Sequence, residues 1–150
     1  MDEMDKKILR ILQDEGDLTV AELGTRVGLS QMPAWRRLRR LKETGVISRI
    51  VAIVDKRLVG YTTIAFVMLR TRQHDKAWFA KLRTFVERET IVVEFHRLSG
   101  EIDFLLKVVL RDMDDYRGFY DRLTSAVELL DVSTAFAFEG LKEQTRVPIS

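Results

Sequence analysis

Residues 18–45 read LTVAELGTRVGLSQMPAWRRLRRLKETG, and this stretch spells two helices joined by a glycine turn. Thr19 and Glu22 have capping-box spacing: the hydroxyl accepts from the third helical amide and the carboxylate accepts from the cap amide. Leu18 and Leu23 flank the box as a hydrophobic staple. The helix is expected to end near Val27 at Gly28, because a residue without Cβ adopts the left-handed conformation at no steric cost. Leu29 then turns inward, Ser30 is the next N-cap, and Pro33 falls in the first turn, where a missing N–H is harmless. The second helix runs to about Glu43 and stops at Gly45. Along it Ala34, Leu38 and Leu41 recur at i, i+4 and i+7 as a core-facing stripe, with Trp35 read as packed beside them, the alternative being an exposed stacking platform. Met32, Pro33, Arg36, Arg39 and Arg40 face the other way and Arg37 lies at the boundary. The result is a helix-turn-helix.

Working outward, Met4, Ile8, Leu9, Ile11 and Leu12 predict a first amphipathic helix over residues 4–14. On the other side, residues 46–54 (VISRIVAIV) are β-branched and partly alternating, as in the strand or short hairpin of a winged helix-turn-helix. Residues 55–60 read as a turn into a hinge, so residues 1–60 form one domain and residues 61–150 a second. Residues 1–60 carry 12 Lys/Arg against 9 Asp/Glu, and residues 61–150 carry 13 against 14, so net basic charge belongs to the first domain. Arg36, Arg37, Arg39, Arg40 and Lys42 crowd one short helix with no acid between Ser30 and Lys42. Such crowding is the footprint of a phosphate-backbone binder, although a solvated basic helix face has the same composition. On the first reading the helix enters a major groove of double-stranded DNA. Gln31, Met32 and Arg36 then read base edges from a polar first turn that includes Ser30 and Pro33. Arg37, Arg39, Arg40 and Lys42 hold phosphates, and Arg49 adds a backbone contact.

The remaining ninety residues alternate in period. Residues 62–72 are strand-like, 75–89 helical, 91–98 strand-like, 103–110 apolar and β-rich, 112–129 helical, and 132–141 strand-like. The order β-α-β-β-α-β predicts an α+β ferredoxin-like sandwich, two helices over one face of an antiparallel sheet. Met113, Tyr116, Phe119, Tyr120, Leu123 and Val127 are expected on the inner side of the second of these helices. Strands apolar on both faces imply that the uncovered face meets another subunit. The tail, residues 143–150, reads as an edge arm.

Composition removes several functional classes. With 46% hydrophobic and 32% charged residues the chain is a globular protein. The absence of cysteine excludes disulfides, a thiol nucleophile and Cys-ligated metal sites, and two histidines leave little for a metal centre. No apolar run approaches a membrane span, and the acidic Met1-Asp2-Glu3-Met4-Asp5 start is unlike a signal peptide, so a cytoplasmic location is expected. Phosphate-cradling glycine loops and nucleophile elbows are missing. Glu101 and Asp103 on a hairpin turn have the form of an acid/base pair or of a solvated turn, and the expectation is that the protein is not an enzyme and uses no cofactor. A third reading of the turn suits it better: Gly100 allows close backbone approach, and the carboxylates lie beside apolar Leu98 and Ile102. That mixture matches a zwitterionic amino acid.

These residues resemble the Lrp/AsnC family of bacterial and archaeal feast/famine regulators. The resemblance is carried by Met4-Asp5-x-x-Ile8-Leu9-x-x-Leu12, by Leu23-x-x-x-Val27-Gly28-Leu29-Ser30 and by Pro33-x-x-x-Arg37-Leu38-x-x-Leu41-x-x-x-Gly45-Val46-Ile47. Ser99-Gly100-Glu101-Ile102-Asp103-Phe104 is similar to the effector-loop motif of that family, with Ile102 where an aromatic is usual. The resemblance implies an N-terminal winged helix-turn-helix that binds DNA and a C-terminal sandwich that binds an amino-acid effector at contacts between dimers. It implies homodimers assembling to octamers. Carried over by position, the effector site comprises Leu98, Ser99, Gly100, Glu101, Asp103, Met113, Thr134, Phe136 and Phe138. The run Pro33-Ala34-Trp35-Arg36-Arg37 is similar to a subgroup that includes cysteine-responsive members. The competing expectation is a metabolite-sensing interaction module whose winged helix docks protein or RNA.

Overall fold

The computed structural model describes residues 1–150, which divide into two compact units, Met1–Ile53 with Lys142–Ser150, and Val54–Leu141. A capping box of two aspartates opens α1 (Glu3–Asp14): the Asp5 amide donates to Asp2 Oδ1 at 2.9 Å and the Asp2 amide to Asp5 Oδ2 at 3.0 Å. The Thr19–Glu22 box opens α2 (Val20–Val27), with Thr19 N–H donating to Glu22 Oε2 at 2.8 Å, and Gly28 ends it at φ 81°. Ser30 takes the N-cap position of α3 (Gln31–Glu43) as expected, but its hydroxyl makes no capping bond. Ile8, Leu9, Leu23, Val27, Leu38 and Leu41 are buried together as the core of this unit. Each such burial contributes about 1.5–3 kcal/mol, far above a surface helix pair at about 0.2–0.5, so the apolar stripe fixes the rotation of α3.

Two expectations for this unit are corrected. Residues 46–54 form no strand; Ile47, whose N–H donates to the Leu41 carbonyl at 3.0 Å, packs on the core, and the rest of the segment is irregular and exposed. β-branched composition favours a pleated, half-buried surface, and this unit offers no second strand to supply it. The tail is no edge arm of the sandwich; it lies along α1. Gln13 Nε2 donates to the Val147 carbonyl at 3.1 Å while Val147 N–H donates to Gln13 Oε1 at 2.7 Å. Arg10 donates twice to the Ile149 carbonyl, Arg146 pairs with Asp14, and Ile149 packs on the core. Residues 10, 13 and 14 share one helix face, so a single extended segment engages all three.

In the second unit β1 (Thr63–Arg70), α4 (Lys76–Arg88), β2 (Val92–Arg97), β3 (Phe104–Leu110), α5 (Met113–Ala126) and β4 (Asp131–Phe136) follow the expected order. The antiparallel sheet has strand order β2-β3-β1-β4. Ala65, Val67 and Leu69 of β1 alternate inward with Phe104, Leu106, Val108 and Leu110 of β3, and Trp78, Leu82, Phe119 and Leu123 of the helices close the core. Phe104 is its centre, with ring centroids of Trp78, Phe79 and Phe95 within 5.8 Å. Three local expectations differ. Met113 and Tyr120 of α5 are exposed, and the helix stops at Ala126, leaving Val127 buried just beyond it. The last strand ends at Phe136, so Phe138 and Leu141 stand in solvent. The opposite sheet face carries Phe66 and Met68 from β1 and Leu105 and Val109 from β3. Lys107, Glu94 and His96 share that face, Lys107 ion-paired with Glu94 at 2.9 Å and His96 Nε2 within hydrogen-bond distance of the same carboxylate at 3.1 Å.

Candidate functional site

Placement of α3 follows from its buried stripe. Ala34, Leu38 and Leu41 are inside, and Gln31, Met32, Arg36, Arg39, Arg40 and Lys42 are exposed, with Pro33 half-buried. Trp35 is not packed in the core, as the sequence reading has it, but 40% exposed. It stands at the border of the stripe, on the Leu38 side, and the Arg39 guanidinium carbon lies 5.3 Å from its ring centroid, which covers the outer face. Arg39 Nε also donates to Glu43 Oε1 at 2.6 Å.

The other flank of α3 is neutralised. Arg37 Nη1 lies 2.7 Å from Asp2 Oδ2 and 2.8 Å from Asp5 Oδ1, and Arg40 Nη2 lies 2.6 Å from Asp5 Oδ2. The Asp5 carboxylate is wholly buried. Burial pushes its carboxyl up, but the Asp2 amide, the Arg37 hydrogen bond and the Arg40 charge together hold it below the usual carboxylate range. The Asp2 carboxyl is held at about 2, chiefly by the Asp5 amide and then by Arg37. The Arg37 guanidinium is correspondingly pushed up by its bonds to Asp2 and Asp5. Sequence reasoning treats Arg37 and Arg40 as free cations and does not use Asp2 and Asp5, although the D-x-x-D spacing ahead of an apolar run is itself a capping signal. Arg36, Lys42 and Arg49 are exposed and form no ion pair.

The sandwich separates the residues expected at the effector site into groups. Leu98, Ser99, Gly100, Glu101 and Asp103 surround the β2–β3 turn, at the end of the sheet where Leu69 pairs with Phe104. Met113 begins α5 beyond the end where Thr63 pairs with Leu110, and Phe136 and Phe138 lie where β4 runs out beside Ala65. Six residues of strand separate the two ends, roughly 20 Å. Thr134 lies between, opposite Val67, its hydroxyl accepting from Tyr116 OH at 2.8 Å. Tyr116 also meets Phe136 edge-on at 5.1 Å, a role that its inward helical position does not reveal. Asp103 is committed to the turn: its Oδ2 accepts from Thr71 N–H at 2.8 Å and its own N–H donates to the Leu69 carbonyl at 3.0 Å. Gly100 holds φ 128°, and Glu101 remains exposed with Arg70 at 3.8 Å.

Residues 1–48 match the family profile described as winged helix-turn-helix DNA-binding, and residues 64–147 match that of the Lrp/AsnC ligand binding domain. Among curated proteins the chain is 38% identical over 149 residues to the glutamate uptake regulatory protein of Zymomonas mobilis, covering 99% of this chain and 91% of that one. It is 37% identical over 150 residues to the DNA-binding transcriptional activator DecR of Escherichia coli, covering 99% of both. Among solved structures it is similar to an AsnC family transcriptional regulator from Agrobacterium tumefaciens, with TM-score 0.94 and 44% identity over 99% and 97% of the two chains. A transcriptional regulator from Neisseria meningitidis, solved as a complex with L-Met, gives TM-score 0.94 and 31% identity over 99% and 96%.

Proposed function

The chain belongs to the Lrp/AsnC family of DNA-binding transcriptional regulators, and on that premise we propose how its residues divide the work. The first domain is the DNA-binding head and the second the sensor. α3 enters the major groove with its N-terminal turn leading, so that Ser30, Gln31, Met32, Pro33 and Arg36 meet the groove. Lys42 and Arg49, exposed and unpaired, hold phosphates. Arg37 and Arg40 act through Asp5, fixing α3 against α1. The observation that carries this reading is the row Met32, Arg36 and Arg39, outward on the helix whose opposite side buries Ala34, Leu38 and Leu41.

The sensor takes a free amino acid, a reading supported by the ligand-domain match and by the L-Met complex of a 31% identical relative. Its two residue groups lie at opposite ends of one sheet, so a site containing both needs a second copy. Homodimers form through the apolar open face around Phe66, Met68, Leu105 and Val109, and dimers associate further to octamers. An amino acid bound at contacts between dimers favours the assembly that holds it best, which shifts the spacing of the DNA-binding heads. No helix is long and apolar enough to cross a membrane, and the regulator works in the cytoplasm on double-stranded DNA.

Titrating the full-length protein against fluorescent duplex DNA at several salt concentrations tests the head. Log affinity is expected to fall against log salt by about 0.9 per phosphate contact, with Arg36→Ala and Lys42→Ala each weakening binding. Duplex affinity unchanged in the double variant would refute the assignment. Thermal unfolding in the presence of each of the twenty amino acids tests the sensor, because a ligand of the native state raises Tm by mass action. No shift with any of them would refute an amino-acid effector.

A further inference from the structure

Trp35, Arg39 and Glu43 stand at i, i+4 and i+8 on α3, a single row along the exposed helix. The Trp35 ring lies under the Arg39 guanidinium, with 5.3 Å between guanidinium carbon and ring centroid. Glu43 Oε1 accepts from Arg39 Nε at 2.6 Å. The guanidinium is thus fixed on one face and at one nitrogen, and both Nη groups make no bond. A phosphate clamp needs only reach and positive charge. Here the carboxylate beside Nε repels a phosphate, whereas it leaves a neutral base edge unopposed. Guanine presents O6 and N7 as two acceptors in the major groove, the pair that a planar arginine fork matches. Restraint before binding also lowers the rotamer entropy lost on contact.

We propose that Arg39 reads a guanine in the major groove and that Trp35 and Glu43 are its positioning residues, selecting a base edge over a phosphate. The inference rests on α3 being the element that enters the groove.

Selection of full-length protein on a random duplex library, followed by affinity and salt titration on the enriched sequence, tests it. Wild type is expected to enrich one G·C pair per half-site, preferred by about 5- to 150-fold over other pairs. Arg39→Ala relaxes that position alone and leaves the salt slope unchanged. Trp35→Ala relaxes the same position although the arginine is present, and Trp35→Phe, which keeps a smaller ring, relaxes it less. Glu43→Gln lets the arginine take a phosphate, so discrimination falls while the salt slope steepens. An Arg39→Ala variant that flattens the slope by about 0.9 per head and keeps every base preference would make Arg39 a phosphate contact and overturn the proposal. So would normal discrimination in both Trp35 variants. Failure of the wild type to enrich any motif would overturn the groove-entry reading as well, which separates the two failures.

Discussion

Arg37 Nη1 reaches Asp5 Oδ1 at 2.8 Å, so α3 is fastened to the first turn of α1 by a carboxylate that is itself part of that turn's capping box. One group therefore serves two ends. Asp5 Oδ2 accepts from the Asp2 amide and from Arg40, while Oδ1 serves Arg37. Removing it leaves an uncapped amide and two guanidinium groups without their buried partner. Asp5→Ala is expected to lower unfolding stability by about 2 kcal/mol, the scale of a hydrogen bond to a charged group. Urea denaturation measures it; a loss below a few tenths would show that solvent replaces the carboxylate without cost.

Acid stability follows from the same cluster and from one in the sandwich. The Asp2 carboxyl is held at about 2, by the Asp5 amide first and Arg37 second. Asp115 is also held at about 2, by the Arg111 side chain and then its amide. Both lie below the ordinary 3.8, so the unfolded chain binds more protons between those values and stability falls as pH falls through them. The contribution is complete above about pH 5 and lost towards pH 2. Urea midpoints from pH 5 to 2 should decline, and Asp2→Asn or Asp115→Asn should flatten part of the decline. A wild-type midpoint constant over that range would contradict both.

Gly24 gives a test of packing against helix propensity. It lies inside α2, where alanine would ordinarily gain up to about 1 kcal/mol. A Cβ there would stand 2.8 Å from the Leu29 carbonyl oxygen, with Ala34 Cβ at 3.5 Å. The near neighbour is backbone in the turn leading to α3, which cannot rotate aside. Overpacking typically costs about 1–3 kcal/mol, so Gly24→Ala is expected to lower Tm despite its better propensity. Greater stability in the variant would mean that the turn has room to yield.

Much of this was legible in the sequence because it is local. The Thr19–Glu22 box, Gly28 and the Ala34, Leu38, Leu41 period each lie within one turn or one helix face, and each recurs in the structure. What escaped depends on partners far along the chain. Pairing of Arg37 with Asp2 and Asp5 joins residues more than thirty apart, and nothing on α3 alone announces it. Residues 46–54 have strand composition but no neighbouring strand, so propensity goes unrealised. Trp35 stands at the border of the apolar stripe, where a rotation of a few tens of degrees separates core from surface; Arg39, not burial, takes its ring. The residues that the family resemblance assigns to the effector site are set by strand register at two ends of a sheet, which no spacing along the chain reveals.

That separation yields a test that does not require knowing how subunits assemble. Glu101 and Phe138 are both exposed, Glu101 making only a 3.8 Å contact to Arg70 and Phe138 no ring contact, so replacing either by alanine should leave folding intact. If each belongs to one half of a site built from two copies, each variant alone carries a defect in every site. Copies of the two variants, co-refolded, restore some sites made of an intact half from each. The amino acid that raises Tm of the wild type is therefore expected to bind neither Glu101→Ala nor Phe138→Ala at the same concentration, and to bind the mixture to a fraction of the wild-type stoichiometry by calorimetry. Complete absence of recovery, with both variants folded and mixed oligomers verified by mass, would mean that the two groups do not meet across copies and that the ligand engages one end of the sheet alone.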